Sequence, residues 1–209
     1  MSCICSITPE MLQDLRERVR KEMSSDRFSH VLAVEQTACE MARAYCPERE
    51  SLVSAAALLH DVTKEKSFAE HVEILKCYGA SAELDAPATL HGVTAALVIP
   101  DWYPEYNCAA IIDAVRYHTT GRADMSTIEK IIYLADYIEP TRKYEGCKRL
   151  RAAFFVAPLD KMSDGERMRH LDAVILQSLV GTLEHLKEKG GSISPDTQSA
   201  LEFFAQKLN

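Results

Sequence analysis

Two adjacent residues, His60 and Asp61, end a stretch from Ser51 that is otherwise almost uniformly apolar. Carboxylates are almost never fully buried unless paired or bound to metal, so a cation is expected beside them. His30, His91, His118 and Asp136 are the candidates to share it, because each lies on or beside a segment whose apolar face would turn it inward. Mixed imidazole and carboxylate donors suit borderline divalent ions such as iron, manganese or zinc, while the lack of thiolate argues against a closed structural zinc site. Such an ion keeps positions open for water or phosphate. It polarises a phosphoryl oxygen and brings the pKa of its water towards about 7, so no strong protein base is needed.

The elements that must position these side chains read as helices. Thr8-Pro9-Glu10 is a capped start followed by Met11, Leu12, Leu15, Val19 and Met23 at helical spacing. A second helix starts at Asp26 or Ser29, carries His30 in its first turn and stops before Pro47. The run from Ser51 to His60, with Ala55, Ala56 and Ala57, favours a helix through the middle of the core. Further helices are expected at 67–78, 88–98, 106–118, 126–138, 146–155, 164–189 and 195–208, with Pro87, Pro100, Pro104, Gly121, Pro140 and Gly190-Gly191 at their boundaries. No alternating strand, repeat or low-complexity tract is evident. The fold class is therefore all-α: an N-terminal helix over 1–25 on the core, a main helical domain over 26–160, and C-terminal helices of the same domain over 161–209.

The order His30, His60-Asp61, Asp136 resembles the H…HD…D signature of the HD-domain metal-dependent phosphohydrolases. Five segments sharpen the resemblance: Arg27–Val31, Leu58–Lys64, Leu90-His91-Gly92, Arg116–Gly121 and Tyr133–Pro140. Together they resemble the YqeK-type branch over about Arg27 to Pro195, departing at Ser29 and Thr63, neither of which is an expected ligand. That resemblance implies a symmetrical bis(5'-nucleosyl)-tetraphosphatase that splits diadenosine tetraphosphate (Ap4A) into two ADP, with iron as the expected ion and manganese, zinc or magnesium as alternatives. It implies His30, His60, Asp61 and Asp136 as metal ligands. His91 and His118 would contact phosphate or complete a second metal site, so one ion or a binuclear pair is expected.

Cleaving a phosphoanhydride spreads charge over non-bridging oxygens, and positioned cations must meet it. Arg27, three residues before His30, and Lys64, three after Asp61, return to the faces of those residues if the helices continue. Arg122 and Arg142 complete the candidate set, and the hydroxyls of Thr119 and Thr120, directly after His118, are expected to hold phosphate or ribose. Asp61, His91, His118 and Lys64 are the expected catalytic groups. Ordinary roles compete with these: a buried ion pair at His60-Asp61, solvated charges at Arg27 and Lys64, and core packing for Tyr133, Leu134, Tyr137 and Ile138. His71, His170 and His185 adjoin no motif and read as core or capping residues.

Composition agrees with a compact helical protein. The 209 residues are 47% hydrophobic and 26% charged, with a formal net charge of −7 that gives no long-range attraction for nucleic acid or anionic membrane. The seven cysteines lack metal-finger or disulfide-framework spacing, no apolar run reaches the roughly 20 residues of a membrane span, and Met1–Ser6 lacks a signal-like pattern. A reduced, cytoplasmic protein is expected, acting on a small nucleotide. The apolar series Leu171, Val174, Ile175, Leu179, Leu183 and Leu186 either covers the core or forms a homodimer interface. Two other functions fit the same signature: hydrolysis of other mononucleotides or signalling nucleotides, and a nucleotide-binding regulatory module with little turnover. No GYP motif follows His60-Asp61, which disfavours cyclic-dinucleotide phosphodiesterase activity.

Overall fold

The computed structural model describes residues 7–81 and 86–209, so the expectations at Met1–Ser6, including Cys3 and Cys5, lie outside the described residues. Among the described residues the regular elements are helices throughout. They are α1 (Pro9–Arg20), α2 (Ser25–Tyr45), α3 (Glu50–Leu59), α4 (Phe68–Cys77), α5 (Leu90–Trp102), α6 (Ala109–Tyr117), α7 (Thr127–Ile138), α8 (Glu145–Phe155), α9 (Asp164–Lys189) and α10 (Pro195–Leu208).

Helix α3 is the axis of the fold. Val53, Ala55, Ala56, Ala57, Leu58 and Leu59 are all fully buried, and α1, α2, α6 and α7 pack around them. A helix apolar on every side is stable only when enclosed, and each of its large side chains contributes about 1.5–3 kcal/mol on burial. Its three consecutive alanines let those four neighbours approach closely. Helix α5 packs on α6 and α4, while α9 packs on α7 and carries α8 and α10. Leu171, Val174, Ile175 and Leu179 of α9 are buried within the chain itself, so the first half of this helix covers the core. Lys130 of α7 and Lys207 of α10 both reach Asp172 of α9, at 2.6 and 3.0 Å, joining three helices through one buried carboxylate.

Several helix starts are written in the sequence. The Ser126 and Ser163 side chains cap α7 and α9 in reciprocal boxes with Glu129 and Glu166, and Ser67 does the same with Glu70 on α4. Two boundaries differ from expectation. Pro100 lies inside α5, which continues to Trp102; Val98 and Ile99 just before it are buried, and their packing carries the helix past the missing proline N–H. The stretch expected as one helix over 106–118 breaks at Asn107 and Cys108, leaving Pro104–Tyr106 as a separate 3-10 turn.

Candidate metal centre and phosphate site

Five helix ends converge on Asp61. His30 comes from the first turns of α2, His60 and Asp61 follow α3, His91 opens α5, His118 follows α6, and Asp136 sits in the last turn of α7. Asp61 Oδ2 faces His60 Nε2 at 3.5 Å and His30 Nε2 at 3.7 Å. Its Oδ1 faces His91 Nε2 at 3.4 Å and His118 Nε2 at 3.7 Å. One carboxylate thus stands between two pairs of imidazoles.

The ring tautomers follow from the hydrogen bonds. His60 Nδ1 lies 2.6 Å from the Ala57 carbonyl and His118 Nδ1 2.7 Å from the Val115 carbonyl. A carbonyl only accepts, so each Nδ1 carries the proton and each Nε2 presents a lone pair to the centre. His30 Nδ1 is held 3.1 Å from Glu139 Oε1, a carboxylate with no solvent exposure. Its Nε2 lies 3.0 Å from Asp136 Oδ1, yet off the line an N–H···O bond needs, and the Nε2 atoms of both His30 and His60 are buried without a hydrogen-bond partner.

Orphaned buried nitrogens are costly, and a cation among them removes that cost. His30, His60 and Asp136 place donor atoms within 4.8 Å of one another, as do His60, Asp61 and His118. Donors bound at ~2.0–2.2 Å to one ion stand roughly 3–3.6 Å apart, close to the separations found here. The residues present therefore fit a divalent ion. The electrostatics make the same demand: burial alone would lower His30, but the Asp136 and Glu139 carboxylates overcome it and hold the imidazole at about 9. Burial opposes the charge on Asp61, and His60, His91 and His118 more than offset this, keeping the carboxyl well below its ordinary range. His118 is driven down to about 4 by burial and by the adjacent His60, so it stays neutral and able to donate its lone pair at neutral pH.

Cations and a hydroxyl line the same centre. Arg27 Nη1 reaches Asp61 Oδ2 at 2.8 Å, and Arg142 Nη2 reaches Asp136 Oδ1 at 2.5 Å. Arg27 is brought there because Glu65, just beyond the His60-Asp61 turn, accepts from both the backbone N–H and the hydroxyl of Ser24, the cap of α2. Lys64 Nζ is 3.3 Å from both ring nitrogens of His91, and burial pulls its pKa below the ordinary lysine value. Thr119 Oγ1 lies 3.1 Å from Nε2 of His91 and of His118, which are themselves 3.0 Å apart.

Two of the expected substrate contacts are directed elsewhere. Arg122 pairs with the buried Glu129 at 2.5 and 3.0 Å and lies over the Tyr117 ring. The Thr120 hydroxyl donates to the Gly121 carbonyl, and the Thr120 carbonyl accepts from Thr197 of α10. Glu139, conversely, stands in the centre without having been singled out. The signal that marks Asp61, a carboxylate closing an apolar helix, is present there too, after Ile138 and before Pro140. Thr63 and Thr94 also support the centre: Thr63 donates to the His91 carbonyl at 2.9 Å, and Thr94 links Thr63 to His71.

Gly92 explains how α5 comes so near α6. A Cβ on Gly92 would lie 2.9 Å from the Arg116 carbonyl, 3.3 Å from the Val115 carbonyl and 3.5 Å from His118 Cε1. The first two are backbone atoms and cannot swing aside. Gly92→Ala is expected to cost about 1–3 kcal/mol, about 2–4 °C of Tm per kcal/mol, and to part His91 from His118. Thermal melts and turnover of the variant test this; a fully active protein with unchanged Tm contradicts it.

An HD domain model matches residues 27–141, more than half of the chain and the span holding all six ligand-type residues. The chain belongs to the HD domain family. Full-length relatives extend the match. This HD domain protein is 30% identical over 188 residues to the symmetrical bis(5'-nucleosyl)-tetraphosphatase of Halalkalibacterium halodurans, covering 86% of this chain and 89% of that one. It is 31% identical over 153 residues to the enzyme of the same name from Staphylococcus aureus, covering 72% and 78%. It also resembles the crystal structure of a predicted HD superfamily hydrolase involved in NAD metabolism from Clostridium acetobutylicum, with a TM-score of 0.79 and 27% identity over 93% of this chain and 97% of the other.

Proposed function

We propose that this HD domain protein is a metal-dependent hydrolase that cleaves Ap4A and related dinucleoside polyphosphates symmetrically, giving two nucleoside diphosphates. The observation that carries the chemistry is the pair of orphaned Nε2 atoms on His30 and His60 beside the carboxylates of Asp61 and Asp136. The symmetrical tetraphosphatases that match most of the chain support the choice of substrate.

In this reading His30, His60, Asp61 and Asp136 hold a divalent ion, proposed to be iron, and His91 and His118 either contact phosphate or complete a second site across Asp61. When bound, the ion supplies polarisation of a phosphoryl oxygen and acidification of water. The protein's own groups do the rest. Arg27, Lys64 and Arg142 donate charge-assisted hydrogen bonds to the phosphoryl oxygens, where charge grows as the bridging P–O bond breaks. Thr119 and the His91–His118 pair fix a neighbouring phosphate, and Asp61 orients the water whose oxygen joins one phosphorus while the bridging oxygen leaves with the other. The enzyme is proposed to work in the cytoplasm; among the described residues no helix is long and apolar enough to cross a membrane. The segments 1–25, 26–160 and 161–209 are proposed to act as one folding unit.

Anaerobic turnover of iron-loaded protein, with nucleotides separated by anion exchange, tests the reading. ADP as sole product from Ap4A is expected. ATP plus AMP means an asymmetric cut, and no turnover of Ap4A under any of iron, manganese, zinc or magnesium refutes it.

The raised pKa of His30 sets the pH dependence of ion uptake. With a value of about 9, the imidazole is protonated in the ion-free protein at neutral pH and must release its proton to act as a ligand. Each ion bound at pH 7 therefore releases about one proton from this site, and affinity rises about tenfold per pH unit until about 9. Calorimetry in buffers of different ionisation enthalpy measures the proton count; heats independent of buffer contradict it.

A further inference from the structure

A cavity of about 200 Å³ opens beside the metal centre, with Lys64 and His91 at its inner end. Lys66, Phe68, His71, Pro87 and Ala88 form the rest of its wall. The lining is mixed: Lys64 and His91, which adjoin Asp61, and Lys66 bring cationic and imidazole groups, while the half-exposed Phe68 with Pro87 and Ala88 brings apolar surface. A nucleotide offers a partner to each kind of surface, anionic phosphates for the cations and a flat heterocycle for the ring. The volume is below the ~300–1,000 Å³ of a site for a whole drug-sized ligand, so it is too small for a whole dinucleotide.

Phe68 is half exposed although it is a large apolar residue, and it sits at the first position of α4, where the Ser67–Glu70 capping box fixes the backbone. A rigidly mounted, exposed ring facing a small cavity is the arrangement that stacks on a base. His71 lies one helical turn further along α4. Its Nδ1 is 2.8 Å from Thr94 Oγ1, which in turn meets Thr63 and so the His91 backbone. The cavity wall and the metal centre are thus held by one hydrogen-bonded chain of side chains.

We propose that this cavity seats one nucleoside of the substrate, with its base stacked on Phe68 and its polyphosphate running inward past Lys64 and His91. The proposal rests on the nucleotide-hydrolase reading above, and it adds Phe68 and His71 as residues that select nucleosidic over inorganic polyphosphates.

The test uses Phe68→Ala, Phe68→Trp and wild-type protein, all metal-loaded, with ADP and inorganic pyrophosphate as competing ligands. Because Phe68 is exposed and its cap is untouched, both variants are expected to fold. Phe68→Ala should weaken ADP binding about tenfold and raise KM for Ap4A by a similar factor, leaving pyrophosphate binding and kcat within about twofold. Phe68→Trp should restore ADP affinity. Equal loss for ADP and pyrophosphate, or no loss for ADP, overturns the subsite while leaving an active tetraphosphatase intact. Failure of the wild type to bind ADP or turn over Ap4A overturns the underlying function and this subsite together.

Discussion

Asp61→Asn is expected to lower kcat/KM for Ap4A at least about 10³-fold, about 4 kcal/mol of barrier, while the protein keeps its fold. The substitution preserves shape and removes one negative charge from a buried position that faces four imidazole Nε2 atoms within 3.7 Å and the Arg27 guanidinium at 2.8 Å. Without that charge Arg27 loses its anionic partner, and one of the two oxygens, each of which faces its own pair of imidazoles, becomes an amide nitrogen that cannot act as a ligand. Loss of a charged member of a buried cluster costs more than a surface pair, because the remaining charges stay desolvated. Metal content measured beside turnover separates the two consequences, with both expected to fall. Activity within tenfold of the wild type, at wild-type metal content, removes Asp61 from the centre of the mechanism.

Glu139→Gln is expected to weaken ion binding about 10–100-fold, the usual effect of removing a group that orients a ligating histidine. Glu139 Oε1 accepts from His30 Nδ1–H at 3.1 Å and from the Thr141 hydroxyl at 2.6 Å, and its Oε2 accepts from the Thr141 backbone N–H at 2.5 Å. A glutamine offers only one accepting oxygen, so its NH₂ group must face one of these donors. The same substitution removes a charge that helps hold His30 at about 9, so the His30 imidazole should lose its proton more readily in the ion-free variant. Competition with a chelator measures affinity, and kcat at saturating ion should recover most of its wild-type value. Unchanged affinity shows that His30 is oriented without Glu139.

The sequence made the centre legible where local composition was anomalous. His60-Asp61 stood out because two ionisable groups closed an apolar helix, and α9 was bounded by a capping serine at one end and Gly190 at the other. Elsewhere chemistry depended on distant partners. Arg122 lies four residues after His118 and looked free to reach phosphate, but the N3 residue of the α7 capping box, Glu129, claims it. Glu139 acts on a histidine 109 positions earlier in the chain, and no short-range pattern carries that relation. Pro100 has the sequence mark of a helix end and is overruled by the buried residues on its N-terminal side. Misses of this kind share a cause: tertiary packing decides between two local options that composition alone leaves equal.

The imidazoles of the centre are not equally exposed to mutational drift. His60 and His118 are each aligned by a main-chain carbonyl three residues earlier in their own helix, and a carbonyl is retained whatever residue replaces Ala57 or Val115. His30 depends on a carboxylate side chain that a single codon change can delete. Two corners of the site are therefore buffered by the backbone, and inherited loss of alignment should concentrate at the third.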